Sequence, residues 1–472
     1  MPGTMSSLAW SGFKLTFGLV SLLGAWAMAV VKNGALWAKD TEEEKKELAA
    51  AQERFWSLDR EPLPGFKHAF FGTSSGARLH YVFNAQEGAE AKNLVIFIHG
   101  FPDSYLIWRR LLQSTSFQDT ILVAIDLPGY GGSDSLPAYG PNEMLGALTE
   151  LIIDVREKYL QEGKKAVIAT HDWGAVIGAR LASEAHVLAD HWIITGGVIP
   201  SLQASNAKNR MLLAKQMLRT WLRSPFNTRL LKNGLHALGP VAGQFRRSFY
   251  IFVFHLPWPL SNAFATFGNY WFLRVLHSYG KGPASKPKNF TAMNPVEAAE
   301  AMASSTGPAI AQLDASNTKN ERYGESVKAR AGDKGMSEKI RIYREDLFSA
   351  KWEKSLEVTV ALYNISTNSA AARSSGTLSN TAPQGALKAP ATLFMGQYEP
   401  AFDQRLSLDN ARDYLVKGSQ VVIVKGAGHW LQIEQVGRRA LEKTIRWALR
   451  DEGGNEVIPF EAMSDVRVLE AL

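Results

Sequence analysis

The stretch AVIATHDWGA, residues 166–175, decides the fold of this chain. Its first five residues form a short, continuous apolar run, which suits a strand buried on both faces of a parallel sheet. Gly174 opens a helical stretch that ends near Ala185. Asp172 therefore lies between a strand and a helix, as in a nucleophile elbow, where a strained turn exposes one side chain above the sheet. The sequence predicts Asp172 as a nucleophile, with a helix cap as the alternative role.

Similar apolar runs recur on both sides of this stretch and alternate with helical segments. An antiparallel hairpin is predicted first, from Phe66–Phe71 and Leu79–Phe83. Further strands are predicted at Leu94–Ile98, Ile121–Ile125, Ala166–Thr170, Trp192–Thr195, Ala391–Met395 and Gln420–Val424, and helices at Asn142–Tyr159, Gly174–Ala185 and Val436–Leu449. This alternation predicts an α/β fold with a mostly parallel central sheet flanked by helices.

A helical insertion interrupts the sheet after residue 200. The inserted residues are rich in Trp, Phe, Lys and Arg at helical spacing, except for a polar stretch, Asp314–Glu338, predicted as loop, and a Ser- and Ala-rich return, Ser366–Gly385. The predicted organisation is an N-terminal membrane anchor (1–33), a helical spacer (34–62), the first part of the α/β core (63–200), a helical cap with a flexible return loop (201–385), the second part of the core (386–450) and a C-terminal tail (451–472).

The N-terminal segment Leu15–Val31 contains no charged residue and is flanked by Lys14 and Lys32. Its 17 residues lie at the short end of the ~17–25 that span a bilayer. The sequence therefore predicts a membrane anchor, with a signal peptide cleaved near Ala25–Ala27 and a buried core helix as alternatives. An anchor implies localisation at the endoplasmic reticulum or another endomembrane, whereas a cleaved signal peptide implies secretion. Within the spacer that follows, Asp40–Arg54 is predicted as a solvated helix capped by Thr41.

Composition limits the classes of function. The 472 residues are 46% hydrophobic and 21% charged, as in a globular protein. The absence of cysteine excludes disulfides, thiolate metal sites and a cysteine nucleophile. The net charge of +7 is modest and no basic cluster alternates with aromatic residues, so no nucleic-acid partner is predicted. No His/Asp/Glu cluster has ligand spacing, so neither a metal nor another cofactor is predicted. The sequence indicates no oligomeric state.

A histidine and an acid follow Asp172 in the order nucleophile, acid, histidine. His429 lies in KGAGHW (425–430), directly after a predicted strand, where its imidazole can lean over the neighbouring strand ends. Glu399 lies in GQYEP (396–400), after another predicted strand, and is the predicted acid. Asp403 is the weaker alternative.

Two backbone N–H groups are predicted to form an oxyanion hole. One belongs to Phe101, in HGFPD (99–103), and the other to Trp173, which follows the nucleophile. Both turns lie at the ends of predicted strands. Each donor therefore reaches the same edge of the sheet as Asp172.

Four motifs in this order carry a resemblance to a known family: HGFPD (99–103), DLPGYGGSD (126–134), HDWGA (171–175) and GAGHW (426–430). Over roughly residues 63–450, the chain resembles the epoxide hydrolase branch of the α/β-hydrolase fold superfamily, which is related to the haloalkane dehalogenases. The resemblance implies the α/β-hydrolase fold, with the helical cap inserted between strands. It also implies that DLPGYGGSD shapes the floor of the site without a catalytic role.

The resemblance implies that the substrates are a small apolar epoxide and water. Asp172 would open the epoxide to form an alkyl ester. His429, oriented by Glu399, would then activate the water that releases a vicinal diol. Phe101 and Trp173 would also contact the substrate. The sequence further suggests that aromatic cap residues line a large apolar pocket, with cap core as the alternative: Trp258, Phe264, Phe267, Trp271 and Phe272.

Enzymes of this family protonate the epoxide oxygen from cap tyrosines. Tyr250, at the start of YIFVFHLP (250–257), resembles the first of them, although a packed core aromatic is the alternative. The second tyrosine typically lies in an Asn-Tyr-Tyr-Arg-like run. Here LYNIS (362–366) places Ile365 at that position, and two residues differ by about 200° around a helix. Tyr363 therefore stays a candidate.

Two other functions remain open. A haloalkane dehalogenase would use the same aspartyl ester, with the indole N–H of Trp173 holding the halide. Phe101 disfavours this reading, because many dehalogenases carry a side-chain donor after His-Gly. The other is a catalytically silent ligand-binding homologue, which the presence of Asp172, Glu399 and His429 disfavours.

Overall fold

The computed structural model describes residues 4–84, 92–286, 293–332, 335–368, 382–450, 460 and 463–469. Within these residues a sheet forms from β1 (Lys67–Gly72), β2 (Arg78–Phe83), β3 (Asn93–Ile98), β4 (Thr120–Ile125), β5 (Ala166–His171), β6 (His191–Thr195), β7 (Ala391–Gly396), β8 (Gln420–Val424) and β9 (Val466–Val468). The spatial order is β1-β2-β4-β3-β5-β6-β7-β8-β9. Strands β3 to β8 are parallel to one another, whereas β2 pairs antiparallel with β4 and β9 pairs antiparallel with β8. This arrangement confirms the predicted, mostly parallel sheet.

Both faces of the sheet are covered, which explains why the central strand β3 is apolar from Leu94 to Ile98. In β3, Leu94, Ile96 and Ile98 pack into one hydrophobic core. The alternating residues Val95 and Phe97 pack into the other core. This alternation is the two-residue period of a strand. The predicted β1–β2 hairpin is likewise confirmed.

Helices cover the sheet and build the cap. They are α1 (Thr4–Asn33), α2 (Glu42–Trp56), α3 (Arg109–Leu112), α4 (Pro141–Tyr159), α5 (Trp173–Glu184), α6 (Pro200–Arg223), α7 (Thr228–Arg247), α8 (Phe249–Phe254), α9 (Trp258–Tyr279), α10 (Pro295–Thr306), α11 (Glu325–Arg330), α12 (Gly335–Ile340), α13 (Leu356–Asn368), α14 (Gln404–Leu408) and α15 (Gln435–Ala448). Helices α6 to α13 lie between β6 and β7 along the chain, so the cap is inserted between two adjacent strands.

The polar stretch Asp314–Glu338, predicted as loop, is irregular up to Gly324 but then contains helix α11 and the first part of α12. Arg330 in this stretch and the adjacent Lys339 are buried, and both bind backbone carbonyls of the core. The Arg330 guanidinium donates to the Gly131 carbonyl at 3.1 Å, and the nearby Lys339 ammonium donates to the Pro102 carbonyl at 3.1 Å. A polar sequence can therefore pack here, because its buried charged group is hydrogen-bonded to backbone carbonyls. Composition alone does not predict such hydrogen bonds.

The predicted spacer contains helix α2, which begins with the expected Thr41 cap. The helix continues two residues beyond the predicted end at Arg54, and its C-terminal turn is packed and not solvated. Phe55 and Trp56 are buried, and the Trp56 indole donates to the Ala303 carbonyl at 3.0 Å. Helix α2 is thus packed against α10 of the cap.

The described segments nearest to the two ends of the chain contact the rest of the protein. Helix α1 packs along α8 and is, by length and composition, a candidate membrane span over Leu8–Asn33, with a mean hydropathy of 1.7. Of the predicted tail, Val466–Val468 forms β9 and pairs antiparallel with β8. Most of the tail and residues 369–381 of the return loop lie outside the described residues.

Candidate active site

Asp172 lies between β5 and α5 in a conformation that is strained for a residue with a side chain, with φ 54° and ψ −117°. Its side chain makes no helix-capping hydrogen bond. The helix-cap alternative is therefore wrong. The carboxylate instead points into the space between β3 and the cap, where Oδ1 accepts a hydrogen bond from the Phe101 N–H at 2.8 Å.

The two predicted oxyanion donors, Phe101 and Trp173, meet at this carboxylate. The Trp173 N–H also hydrogen-bonds to Asp172. Gly100 permits this approach, because a Cβ there would lie 2.5 Å from both Asp172 Oδ1 and the Trp173 nitrogen. Lys339, through its bond to the Pro102 carbonyl, supports the same turn from behind.

His429 and Glu399 complete the group at the carboxyl ends of β8 and β7. His429 Nδ1 lies 3.0 Å from each Glu399 carboxylate oxygen, and Nε2 lies 3.6 Å from Asp172 Oδ2. All three side chains are buried. The imidazole is thus held between an orienting acid and the aspartate, the arrangement needed to activate a water at Asp172.

The alternative acid, Asp403, has a different role in the structure. Its side chain caps α14 by accepting from the Arg405 N–H at 3.1 Å, and it forms an ion pair with the Arg405 guanidinium at 2.9 Å. Its carboxylate is therefore engaged away from His429. The geometry favours Glu399 as the partner of the histidine.

The two carboxylates dominate the electrostatics of the imidazole. Burial lowers the pKa of His429, but the charges and hydrogen bonds of Glu399 and Asp172 outweigh it and raise the pKa to about 10. Burial also raises the pKa of Asp172, yet its bond and charge interaction with His429 hold that pKa below its usual value. In the resting site His429 is therefore protonated and Asp172 is a carboxylate.

Tyr250, on α8, faces the same space from the cap. Its ring is 5.8 Å from the ring of Tyr343 at 85°, and the two hydroxyl groups hydrogen-bond. Tyr343, in the 3-10 helix Arg341–Tyr343, packs edge-on against Trp173 at 5.0 Å. Burial and the Asp172 charge raise the pKa of both tyrosines, so both stay protonated. Two phenols therefore converge above Asp172.

The prediction of Tyr363 as the second cap tyrosine is wrong, because the structure does not bring this residue to the site. It lies on α13 with 66% of its surface exposed. The rotation argument anticipated this result, since residues two apart face different sides of a helix. Tyr343 occupies the place in the site for which Tyr363 was a candidate.

Tyr343 was missed by motif reasoning, although the sequence carries a signal for it. The dipeptide Tyr343-Arg344 matches the end of the Asn-Tyr-Tyr-Arg-like run. Arg344 donates to the carbonyls of Phe254 and Leu256 at 2.9 and 3.0 Å, at the end of α8. It thereby ties Tyr343 to the helix that carries Tyr250.

The five cap aromatic residues that were predicted to line a pocket differ in their burial and in their distance from the site. Phe264 and Phe272 are buried and pack together at 4.6 Å, and Phe272 also contacts Tyr250 at 5.6 Å. Trp271 is buried and Phe267 packs against Trp26. Trp258 is partly exposed under Arg344. Most of this set is cap core, while Phe272 lies beside the site.

Comparison with known proteins agrees with this geometry. The family described as "Alpha/beta hydrolase family" matches residues 95–305. Together with the sheet order and the cap, this match shows that the chain has the α/β-hydrolase fold. The juvenile hormone epoxide hydrolase of the silkworm Bombyx mori has the same fold, with a TM-score of 0.50 at 14% identity over 87% of this chain and 85% of that chain.

The predicted resemblance to epoxide hydrolases is confirmed at modest identity. The chain is 28% identical to epoxide hydrolase 3 of Mus musculus over 188 residues, 39% of this chain and 40% of the relative. It is 38% identical to epoxide hydrolase 1 of Caenorhabditis elegans over 25% of this chain and 27% of that relative. A haloalkane dehalogenase of Sphingobium indicum is 34% identical over 18% of this chain and 28% of that enzyme. The chain spans less than half the length of each of these relatives.

Proposed function

We propose that this protein is an epoxide hydrolase that converts an apolar epoxide to a vicinal diol. The observation that carries this proposal is the pair of phenols, Tyr250 and Tyr343, hydrogen-bonded to one another above the Asp172 carboxylate. An epoxide needs a nucleophile on carbon and a proton donor on oxygen. The sheet side of this space supplies the nucleophile, Asp172, and the cap side supplies the proton donors, the two phenols.

The first step forms an ester. Asp172 Oδ2, which lies opposite the oxyanion donors, attacks a ring carbon, and the electrons of the broken carbon–oxygen bond go to the epoxide oxygen. That oxygen takes a proton from Tyr250 or Tyr343. Asp172 Oδ1 stays bound to the Phe101 N–H and becomes the carbonyl oxygen of the ester.

The second step hydrolyses the ester. The negative charge of Asp172 is one cause of the raised pKa of His429. Because esterification removes this charge, the pKa of His429 falls. His429 then gives its proton to the tyrosinate and becomes the base that activates water. Hydroxide adds to the ester carbon, the new oxyanion is held by the N–H groups of Phe101 and Trp173, and collapse releases the diol. His429 passes one water proton to the diol and recovers the other from the Asp172 carboxyl.

The dehalogenase alternative receives less support. A halide would need free donors beside Asp172. The Trp173 side chain hydrogen-bonds to Tyr343, and Phe101 has no polar side chain. Both features suit an epoxide oxygen, which the phenols protonate, better than a departing halide.

Replacing the phenols separates these two reactions. Tyr250→Phe and Tyr343→Phe are each expected to slow epoxide opening by about 10²-fold, since each removes a proton donor. Diol formation from an aryl epoxide, with single-turnover rates, measures the effect. Tyr363→Phe is the matched control, because its exposed hydroxyl lies away from the site.

The outcomes of this tyrosine series are distinct. Unchanged opening rates in both Tyr250→Phe and Tyr343→Phe would contradict the epoxide proposal. A dehalogenase would instead release halide from an alkyl halide at nearly the same rate in all three variants.

The pH dependence of the two steps is expected to differ. The ring-opening rate should be level between about pH 6 and 9, because Asp172 stays ionised and the phenols stay protonated there. Ester hydrolysis needs neutral His429, so its rate should rise with pH, with a midpoint below the resting pKa of about 10. Stopped-flow single turnovers resolve both steps. A hydrolysis rate that falls as pH rises would refute the assignment of His429 as base.

We also propose that α1 attaches the protein to a membrane, at the endoplasmic reticulum or another endomembrane. Its apolar length supports this, and so does its packing. Cleavage of a signal peptide near Ala25–Ala27 would remove Leu22 and Ala25, which are buried. N-terminal sequencing of the cellular protein distinguishes retention from the secretory alternative.

A further inference from the structure

The inner face of α1 packs against the folded protein over half of its length. Leu22, Ala25 and Ala29 are buried on this face. Gly18 touches α8 so closely that a Cβ there would lie 2.7 Å from the Phe252 carbonyl oxygen. Phe17 also packs against the Phe252 ring at 4.8 Å. Lipid therefore cannot surround α1 along this stretch.

The C-terminal end of α1 is held by α9. The Trp271 indole donates to the Asn33 side chain at 2.9 Å. Shortly after the helix, Asp40 forms an ion pair with Arg274 at 2.6 Å and accepts from Asn269 at 2.7 Å. These bonds attach α1 to the cap at both its middle and its end.

A bilayer-spanning α1 would bring cap helices to the same depth. The hydrocarbon region is ~30 Å thick, and Gly18–Asn33 covers about 22 Å of helix. Helix α8 would then lie in hydrocarbon, followed by His255 and by Arg344, which binds the carbonyls at the end of α8. Ionisable side chains are unfavourable at that depth. The packing therefore disfavours a span in this folded state.

The outer face of α1 is apolar and exposed. It is at least 38% exposed at each of these positions: Leu8, Trp10, Phe13, Leu15, Leu19, Val20, Leu23, Met28 and Val31. A helix with one face on protein and an apolar face outward can lie in a membrane interface. This arrangement needs no polar cap group inside hydrocarbon.

The α6–α7 hairpin forms a second surface that is suited to contact with a membrane. Residues 200–247 contain nine Lys or Arg and no Asp or Glu. The turn between the helices carries Phe226, which is 99% exposed. Further exposed apolar side chains are Met211, Leu212, Leu213, Leu222 and Leu235. Cations interspersed with exposed apolar groups match the headgroups and outer acyl region of an anionic phospholipid leaflet.

The two surfaces adjoin at the base of the hairpin. Phe245, near the end of α7, contacts Phe13 and Phe17 at 5.8 and 6.3 Å. An apolar cleft of about 570 Å³ runs between α1 and α7, lined in part by Phe249. One continuous apolar and basic face therefore joins α1 to the hairpin.

We propose that the protein is monotopic and that the outer face of α1 and the α6–α7 hairpin dock together on one anionic phospholipid leaflet. The N-terminus and the α/β core then lie on the same side of the membrane. This inference rests on the proposed membrane attachment and is independent of the proposed reaction.

The native absence of cysteine permits a topology test on the full-length chain. A double variant, Ser6→Cys with Ser116→Cys, places one thiol before the apolar segment and one on the exposed surface of the core. It is reconstituted in sealed vesicles of phosphatidylcholine and phosphatidylserine and treated with a membrane-impermeant maleimide. Mass spectrometry then counts the labels on each molecule.

Monotopic docking predicts molecules with two labels or none, whatever the orientation of the protein in the vesicle. A spanning α1 predicts one label per molecule, and this result would overturn the proposal. Failure of the protein to sediment with the vesicles would overturn both the docking and the membrane attachment. Neither result would affect the tyrosine test of the reaction.

The hairpin is tested separately. A bimane fluorophore on Phe226→Cys is expected to show about twofold quenching by shallow doxyl-labelled lipids in anionic vesicles. Arg219→Glu with Arg223→Glu and Arg229→Glu should remove this quenching while α1 keeps the protein on the vesicle. A fluorophore at Ser116→Cys is the unquenched control. Sedimentation without quenching at position 226 would exclude the hairpin from the docking surface.

Discussion

Replacement of Asp172 by asparagine is expected to lower turnover of an apolar epoxide by at least about 10⁴-fold. The amide keeps the size of the side chain and can still accept from the Phe101 N–H. It lacks the negative charge that attacks the ring carbon. Steady-state diol formation measures the loss, and thermal unfolding shows that the variant is folded. The same variant should lower the pKa of His429, because one of the two carboxylates that raise it is gone.

Asp403→Asn is the matched control for this variant. Asp403 is also a buried carboxylate near the sheet edge, but it caps α14 and pairs with Arg405. Its loss is expected to lower the Tm by a few degrees and to leave turnover within about twofold. A comparable loss of turnover in both variants would show that general destabilisation explains the effect.

Isotope labelling tests the ester itself. During a single turnover of the unaltered protein in ¹⁸O-water, the water oxygen should enter the Asp172 carboxylate, because hydroxide attacks the ester carbon. Mass spectrometry of the peptide that contains Asp172 detects the label. A diol that carries the label, with an unlabelled aspartate, would indicate direct attack of water on the epoxide.

Replacement of His429 by glutamine is expected to stop the reaction at the ester. Ring opening uses Asp172 and the cap phenols, whereas hydrolysis needs the imidazole as base, so the second step should slow by about 10³-fold. The intact protein should then gain the mass of one substrate molecule. Peptide mapping should locate that mass on Asp172.

Two further variants give this trapping experiment its controls. Glu399→Gln keeps the imidazole but weakens its orientation and lowers its pKa, so ester should accumulate less than in His429→Gln. The double variant with Asp172→Asn should show no adduct. Normal turnover by His429→Gln would contradict the proposed base, and an adduct on another residue would contradict the proposed nucleophile.

The chain's local patterns were sufficient for the sheet and for the residues at its edge. Continuous β-branched runs predicted β3 to β8, because a strand covered on both faces needs apolar side chains at every position. Asp172, Glu399 and His429 each follow such a strand. Since parallel strands bring their carboxyl ends to one edge, strand prediction alone predicts that these side chains approach one another.

The sequence predicted that the cap is helical but did not predict its contacts, because these contacts follow no regular spacing along the chain. The second part of Asp314–Glu338, predicted as loop, is helical, and there Arg330 donates to a core carbonyl. Tyr343 lies in a short 3-10 helix, and its place in the site depends on packing against Trp173 and on the Arg344 bonds to α8. These contacts join residues that are distant along the chain, so no spacing rule identifies them.

The sequence by itself determined that this chain builds a parallel sheet with a strained aspartate turn, and that a histidine and a glutamate lie at the same sheet edge. Strand periodicity and turn chemistry are local properties, and they sufficed for that part. Tertiary structure decided which second tyrosine faces Asp172, that Asp403 is a cap, and that α1 lies on the cap. Each of these depends on which surfaces meet after the helices pack, and that is a property of the whole fold.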